Sequence, residues 1–145
     1  MKKSVGAIIY KDNKYLIQRR SKKKKIYFPD IHGVFGGGVN NNEKTLHAIK
    51  REILEELELN LSLKNIRYFL QISLNSRHFK TKRSRSYFSI KITNDQYKLI
   101  NLREGQSLHL LNVNKIKKLD FVPWDLAAIL YFDSFIKNNK QVKPT

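Results

Sequence analysis

The chain has 145 residues, 41% of them hydrophobic and 11% aromatic, enough apolar material for one core and one domain without a disulfide or metal staple. It contains no cysteine, which excludes disulfides, thiolate nucleophiles and cysteine-based zinc sites, so any metal must rest on oxygen or imidazole. Lysine and arginine number 29 against 12 acids, a formal charge of +17 that attracts polyanions, whether nucleotide, nucleic acid or anionic membrane.

Met1-Lys2-Lys3 and the apolar residues after them loosely imitate the start of a secretory signal, but Lys11-Asp12-Asn13-Lys14 ends the stretch and no small-residue cleavage site follows. Residues 5–10 and 15–19 instead read as a β-hairpin across that polar turn. A basic loop at 22–25 follows, and Pro29, Gly33 and Gly36-Gly37-Gly38 then punctuate a loop that ends at Asn40-Asn41-Asn42. From Glu43 to about Leu57 the apolar residues Leu46, Ile49, Ile53 and Leu57 recur at steps of three and four, the buried stripe of an amphipathic helix. Residues 66–74 and 87–92 read as strands joined by a basic loop over 77–85, and 107–113 is a third candidate. Pro123 suits the first turn of a terminal helix through about Ile136. The expectation is a single mixed α/β domain over residues 1–137 with a flexible C-terminal tail at 138–145. No stretch approaches the ~20 apolar residues of a membrane span, so a soluble, cytoplasmic protein without a membrane partner is expected, as monomer or homodimer.

The acids are unevenly placed. Five of the twelve, Glu43, Glu52, Glu55, Glu56 and Glu58, fall between positions 43 and 58 of an otherwise basic chain. On a helix, Glu52, Glu55 and Glu56 share one face, being related by steps of three and four. Like charges so close repel unless solvated or neutralised, and oxygen ligands at that spacing suit Mg²⁺ or Mn²⁺. A glutamate-rich helix face is more often merely solvated. The preceding Gly36-Gly37-Gly38 shifts the balance, because glycine lets backbone approach a ligand closely beside those carboxylates.

Together these residues resemble the Nudix box: Gly, five residues, Glu, seven residues, then Arg-Glu-aliphatic-x-Glu-Glu-x-Gly-aliphatic. Gly37 and Glu43 are correctly spaced, and Arg51-Glu52-Ile53-Leu54-Glu55-Glu56-Leu57-Glu58-Leu59 follows at the required distance. Glu58 stands where the pattern has its second glycine, so a left-handed residue is expected at a non-glycine position, with Asn60 as an alternative terminator. Arg19-Arg20 at the end of the second strand is similar to MutT-type members, where the second arginine meets substrate phosphates. Phe35-Gly36-Gly37 stands where those members have Pro-Gly-Gly, and Glu104-Gly105-Gln106 looks like their Glu-Gly-Gln.

The resemblance implies an α/β/α sandwich with a mixed sheet and a Mg²⁺-dependent pyrophosphohydrolase. Glu52, Glu55 and Glu56 would hold the metal, joined by Glu104 and the Gly36 carbonyl, with Glu56 or Glu104 activating the water and Glu52 beside them. Glu43 and Arg51 would brace the loop bearing Gly37 against the helix, since Arg51 lies about 100° around the helix from Glu52 and is not expected to share the metal face. Arg20, Arg77 and Arg85 are the candidate phosphate clamp. Trp124 and Asp125 are candidates for stacking on and reading the base, against the plainer reading of a core anchor and a first-turn acid. The implied substrate is a nucleoside triphosphate or other nucleoside diphosphate derivative. Alternatives are an RNA 5′ end, which the charge favours, a nucleotide sugar or ADP-ribose, and a domain that binds nucleotide or RNA without catalysis.

Overall fold

The computed structural model describes residues 1–23, 28–75 and 80–141, with side chains through residue 139. Strands β1 (Lys2–Lys11) and β2 (Lys14–Arg19) form the expected hairpin, closed by Tyr10↔Tyr15 and Lys11↔Lys14. Asp12 and Asn13 at its turn have φ of 51° and 61°, the paired positive values of a type I′ turn, whose twist matches that of the strands. The remaining described elements are β3 (His32–Gly33), β4 (Phe35–Gly38), α1 (Thr45–Leu57), a 3-10 turn (Leu63–Asn65), β5 (Ile66–Leu74), β6 (Arg83–Lys91), α2 (Asn94–Leu99), β7 (Ser107–Leu111), α3 (Val113–Ile116) and α4 (Pro123–Gln141).

Among the described residues, all seven strands join one mixed sheet. β1 runs parallel to β6 from Lys2↔Arg83 to Tyr10↔Lys91, and every other strand pairing is antiparallel. Alternation along β1 divides the core in two. Val5, Ala7 and Ile9 pack with Ala48, Ile49, Ile53 and Leu57 of α1. Ile8 joins Ile17, Tyr87, Ile116, Ile129 and Phe132 on the α3–α4 face. The result is the anticipated α/β/α sandwich with a mixed sheet. Among the described residues no helix is long and apolar enough to cross a membrane.

Several boundaries differ from the sequence reading, each for a physical reason. The segment read as a glycine loop is largely strand: β4 pairs with β1 from Ser4↔Gly38 to Ala7↔Phe35. Glycine carries no β-propensity of its own, so this pairing depends on the waiting edge of β1. At Gly36, φ is +153° and a Cβ would stand 2.0 Å from the Val5 carbonyl oxygen, so only glycine fits. Helix α1 starts at Thr45, which leaves Glu43 in the turn before it. It ends with Glu58 itself in the left-handed conformation, φ 55° and ψ 30°, its N–H bonded to Leu54 O. Asn60 is therefore not the terminator. The strain of about 1 kcal/mol is offset by bonds to the Glu58 carboxylate from Asn101 (2.9 Å) and Arg103 (3.1 Å).

Strand β6 begins at Arg83 rather than residue 87, because the buried Ser84, Arg85 and Ser86 break the apolar pattern by which strands are recognised. The short helices α2 and α3 were not anticipated. Thr93 and Gln96 form a reciprocal capping box at α2, and Asn112 accepts from Lys115 N at α3, so the chain turns helical where the third strand was expected to continue to Val113. α4 extends to Gln141, past the expected end near Ile136.

Candidate active site

Helix α1 turns its acidic face toward β4. Glu56 is only 5% exposed, and its Oε2 accepts the Gly36 N–H at 3.1 Å. Glu52 lies against the next residue, so that a Cβ on Gly37 would stand 2.5 Å from the Glu52 carboxylate. Glu55, with its side chain 55% exposed, is the outermost of the three.

The loop before β7 brings Glu104 to the same edge. Arg103 N bonds Glu56 O at 2.8 Å, Asn101 N bonds Leu57 O at 2.9 Å, and Gln106 N bonds Arg19 O at 2.9 Å. Gly105 makes the turn between these anchors at φ +85°. The negative charge of Glu104 is felt by both Glu52 and Glu56. Burial first, then the Glu52 charge, pushes the Glu56 carboxyl up to about 8, against the Gly36 N–H that favours its ionised form. Glu52 is raised mainly by burial, with Arg51 opposing and Glu55 and Glu104 adding repulsion. As the side chains stand, no three acidic or histidine groups among the described residues form a ready-made metal cage. The acids share one edge through their fields.

Arg51 braces this edge. Its Nε and Nη2 donate to both oxygens of Glu43 at 2.9 Å, and Nη2 also donates to Gly38 O at 2.9 Å. These Arg51 hydrogen bonds, followed by the Asn40 N–H, hold Glu43 down to about 2. Arg51 is not confined to the bracing side, however. Nη1 reaches Glu52 at 2.9 Å and Glu55 at 3.4 Å, because a long side chain spans the arc that the backbone position alone suggested would separate them.

A cavity of about 880 Å³ adjoins the glycine strand, with Gly36, Gly37 and Gly38 in its wall. Glu52, Glu55, Glu56 and Glu104 are outside that lining, and Glu56 and Glu52 touch the same glycine strand that walls it. Arg20 lines the cavity and donates from Nε to Phe28 O at 3.1 Å. Its pKa is lowered chiefly by burial, while the charges of Asp125 and Glu56 oppose the shift, which sets Arg20 between cavity and acids. Arg19 turns away to pair with Asp30 at 3.0 Å. Trp124 meets Phe28 edge-on at 5.1 Å between centroids, and both line the cavity.

Asp125 and Arg85 also reach the wall, but as partners: Arg85 Nε donates to Asp125 Oδ1 at 3.1 Å. Asp125 is 1% exposed and accepts further from Tyr87 OH and Val34 N. It is thus neither a simple first-turn acid nor an open acceptor. Arg77, and Lys24 and Lys25 of the first basic loop, lie outside the described residues. Sequence reasoning missed Tyr87 and Phe28, since an aromatic residue in a strand or loop carries no sign of the distant groups it will touch.

A profile of the NUDIX domain matches residues 1–134 of the chain. No curated protein matches it significantly. Among solved structures, the MutT protein of Methanosarcina mazei Go1 is similar over 96% of this chain and 95% of its own, with 21% identity and a TM-score of 0.72. The NUDIX domain of Shewanella oneidensis NrtR, solved with ADP ribose, is similar over 92% and 87%, with 15% identity and a TM-score of 0.75. A C. elegans Ap4A hydrolase is similar over 95% and 99%, with 19% identity and a TM-score of 0.71. At these identities the structural likeness speaks for the fold, and the profile match over nearly the whole chain speaks for descent: the chain belongs to the Nudix family and is a Nudix hydrolase.

Proposed function

We propose that the protein is a Mg²⁺-dependent pyrophosphohydrolase that cleaves a diphosphate linkage in a nucleoside triphosphate or other nucleoside diphosphate derivative. The observation that carries this reading is the placing of Glu56 and Glu52 against a glycine strand that also walls a nucleotide-sized cavity, with the charge of Glu104 close enough to act on both. The acidic side chains offer oxygen ligands, and burial together with mutual repulsion raises the carboxyls of Glu52 and Glu56. That donor chemistry fits a hard divalent cation, Mg²⁺ or Mn²⁺. Glu52, Glu55, Glu56 and Glu104 would hold it, with the Gly36 carbonyl as a further oxygen. When bound, the ion supplies neutralising charge at the diphosphate.

The remaining work belongs to the chain's own residues. A water oxygen attacks one phosphorus, the bridging P–O bond breaks, and the second phosphate group departs. Glu56 or Glu104 accepts the water proton. Arg20 grips phosphate oxygens, Trp124 offers an aromatic surface to the base, and the Glu43–Arg51 fork keeps β4 registered against α1. Nucleotide substrates accord with a cytoplasmic setting.

A second reading, an RNA 5′ end as substrate, is favoured by the +17 charge. Both are tested by assaying phosphate and pyrophosphate release with Mg²⁺ from the four nucleoside triphosphates, ADP-ribose, Ap4A and 5′-triphosphate RNA. Turnover of at least one mononucleotide is expected. Turnover of RNA alone would select the second reading, and no release from any substrate would refute hydrolysis.

A further inference from the structure

Three elements meet at one buried carboxylate. Asp125 at the start of α4 accepts at Oδ1 from the Tyr87 hydroxyl (2.6 Å) and from Arg85 Nε (3.1 Å), both on β6, and at Oδ2 from the N–H of Val34 beside β4 (3.1 Å). Three of the carboxylate's roughly four acceptor sites are thereby filled. Arg85 is held on its other sides too. Its guanidinium carbon lies 5.4 Å from the Tyr87 ring centroid, and Nη1 is 3.4 Å from Ser4 Oγ. Two glycines make room for the arrangement. A Cβ on Gly6 would stand 2.8 Å from the Tyr87 ring and 3.0 Å from Arg85 Nη2, and one on Gly33 would stand 3.0 Å from Asp125 Oδ2.

Of the three polar side chains, Arg85 is the one with donors to spare at the cavity. A guanidinium carries five N–H donors, and the hydrogen bonds that hold Arg85 go to Asp125, Ser4 and the Tyr87 hydroxyl, which leaves donors over. A free arginine loses side-chain freedom when it grips a ligand, whereas one already pinned by a counter-ion, a ring face and a hydroxyl has little left to lose.

We propose that Arg85 is the member of this network that meets the substrate, presenting fixed N–H donors to an oxygen acceptor of the nucleotide, and that Asp125 and Tyr87 are positioning residues that act through it. The inference rests on the nucleotide-hydrolase reading above. It keeps Arg85 among the substrate-gripping residues that the sequence suggested, and it replaces the direct base contact considered there for Asp125 by an indirect one. The acceptor is either a phosphate oxygen or a keto oxygen of the base, since both offer the same lone pairs to a guanidinium.

The test is a double-mutant cycle on kinetics, with ATP, GTP, CTP and UTP in Mg²⁺. Tyr87→Phe deletes one oxygen and keeps the packing, so the variant is suited to a folded comparison. Loss of that one hydrogen bond should raise KM about fivefold, with kcat within about twofold of wild type. In an Arg85→Gln background the same substitution should change KM by less than about 1.5-fold. Equal effects on all four nucleotides, and on binding of inorganic tripolyphosphate, assign the acceptor to phosphate. A larger effect on GTP, CTP and UTP, whose bases carry a keto oxygen, than on ATP, whose base carries none, assigns it to a base keto group.

An unchanged KM in Tyr87→Phe, or a full fivefold effect surviving in Arg85→Gln, would overturn the proposal and leave Tyr87 a packing residue. If the wild type binds GTP without hydrolysing any nucleotide, the hydrolase reading fails separately. The cycle is then read in Kd from the fluorescence of Trp124, the chain's single tryptophan, and the same two results decide it. Failure of the wild type to bind any of these ligands would overturn both.

Discussion

Replacing Glu56 by glutamine separates what the carboxylate costs the fold from what it gives the reaction. The amide is nearly isosteric and its oxygen can still accept the Gly36 N–H, which now meets Glu56 Oε2 at 3.1 Å. What disappears is a charge that is costly where it lies. A carboxyl carried from its ordinary 4.5 to about 8 bears, at about 1.4 kcal/mol per tenfold, a penalty of up to roughly 5 kcal/mol when ionised. The folded pKa is raised, so the stability is fully present below the unfolded value of 4.5 and is lost as pH rises through 8. In EDTA, Glu56→Gln and wild type should therefore melt together near pH 4.5, and the variant should melt higher by roughly 10 °C near pH 8.5. Taking the difference between the two proteins cancels the shared groups that do not couple to Glu56. Mg²⁺ should raise the wild-type Tm at pH 8 and raise that of the variant less, while turnover in the variant falls at least about a hundredfold. A Tm difference that does not change between pH 4.5 and 8.5 would refute the buried-charge argument, and near-wild-type turnover would refute the role given to Glu56.

Alanine substitutions at the adjacent glycines should part company. At Gly36 the added methyl meets the Val5 carbonyl at 2.0 Å, whereas at Gly37 it meets the movable Glu52 carboxylate at 2.5 Å. Gly36→Ala is thus predicted to lose its cooperative melting transition, and Gly37→Ala to stay folded by circular dichroism while losing tenfold or more in activity, roughly the effect of misplacing one ligand. Glu58→Gly relieves about 1 kcal/mol of left-handed strain but gives up the bonds from Asn101 and Arg103, so its urea midpoint should move by less than about 1 kcal/mol equivalent. A larger gain would mean that those bonds contribute nothing. If the basic surface engages RNA, affinity for a long single strand should fall steeply between about 50 and 200 mM salt; no binding at the lower salt would remove the RNA-end reading.

Much of this was legible along the chain because it is periodic. Leu46, Ile49, Ile53 and Leu57 announced α1, and the spacing of Gly37, Glu43 and Arg51 through Glu56 announced the edge it forms with β4. What escaped was what only a distant partner decides. Gly36–Gly38 are extended because β1 offers an edge. Ser84, Arg85 and Ser86 form strand although polar, since Asp125, forty positions beyond Arg85, waits to pair with it. Asp125 looked like an ordinary first-turn acid because its donors, at positions 34, 85 and 87, come from other elements.

The parallel pairing of β1 with β6 has a consequence for the order in which the molecule can be made. Lys2 pairs with Arg83 and Tyr10 with Lys91, so each contact closes a loop of about eighty residues, and loops of that size are slow to close. On the ribosome, β1 can fold against β2 and then β4 early, yet one of its edges must stay open until residues 83–91 emerge. An open apolar edge recruits other strands. The hairpin that leads the fold is therefore also its period of greatest exposure to aggregation, and a chain halted before β6 should need a chaperone far more than the finished domain does.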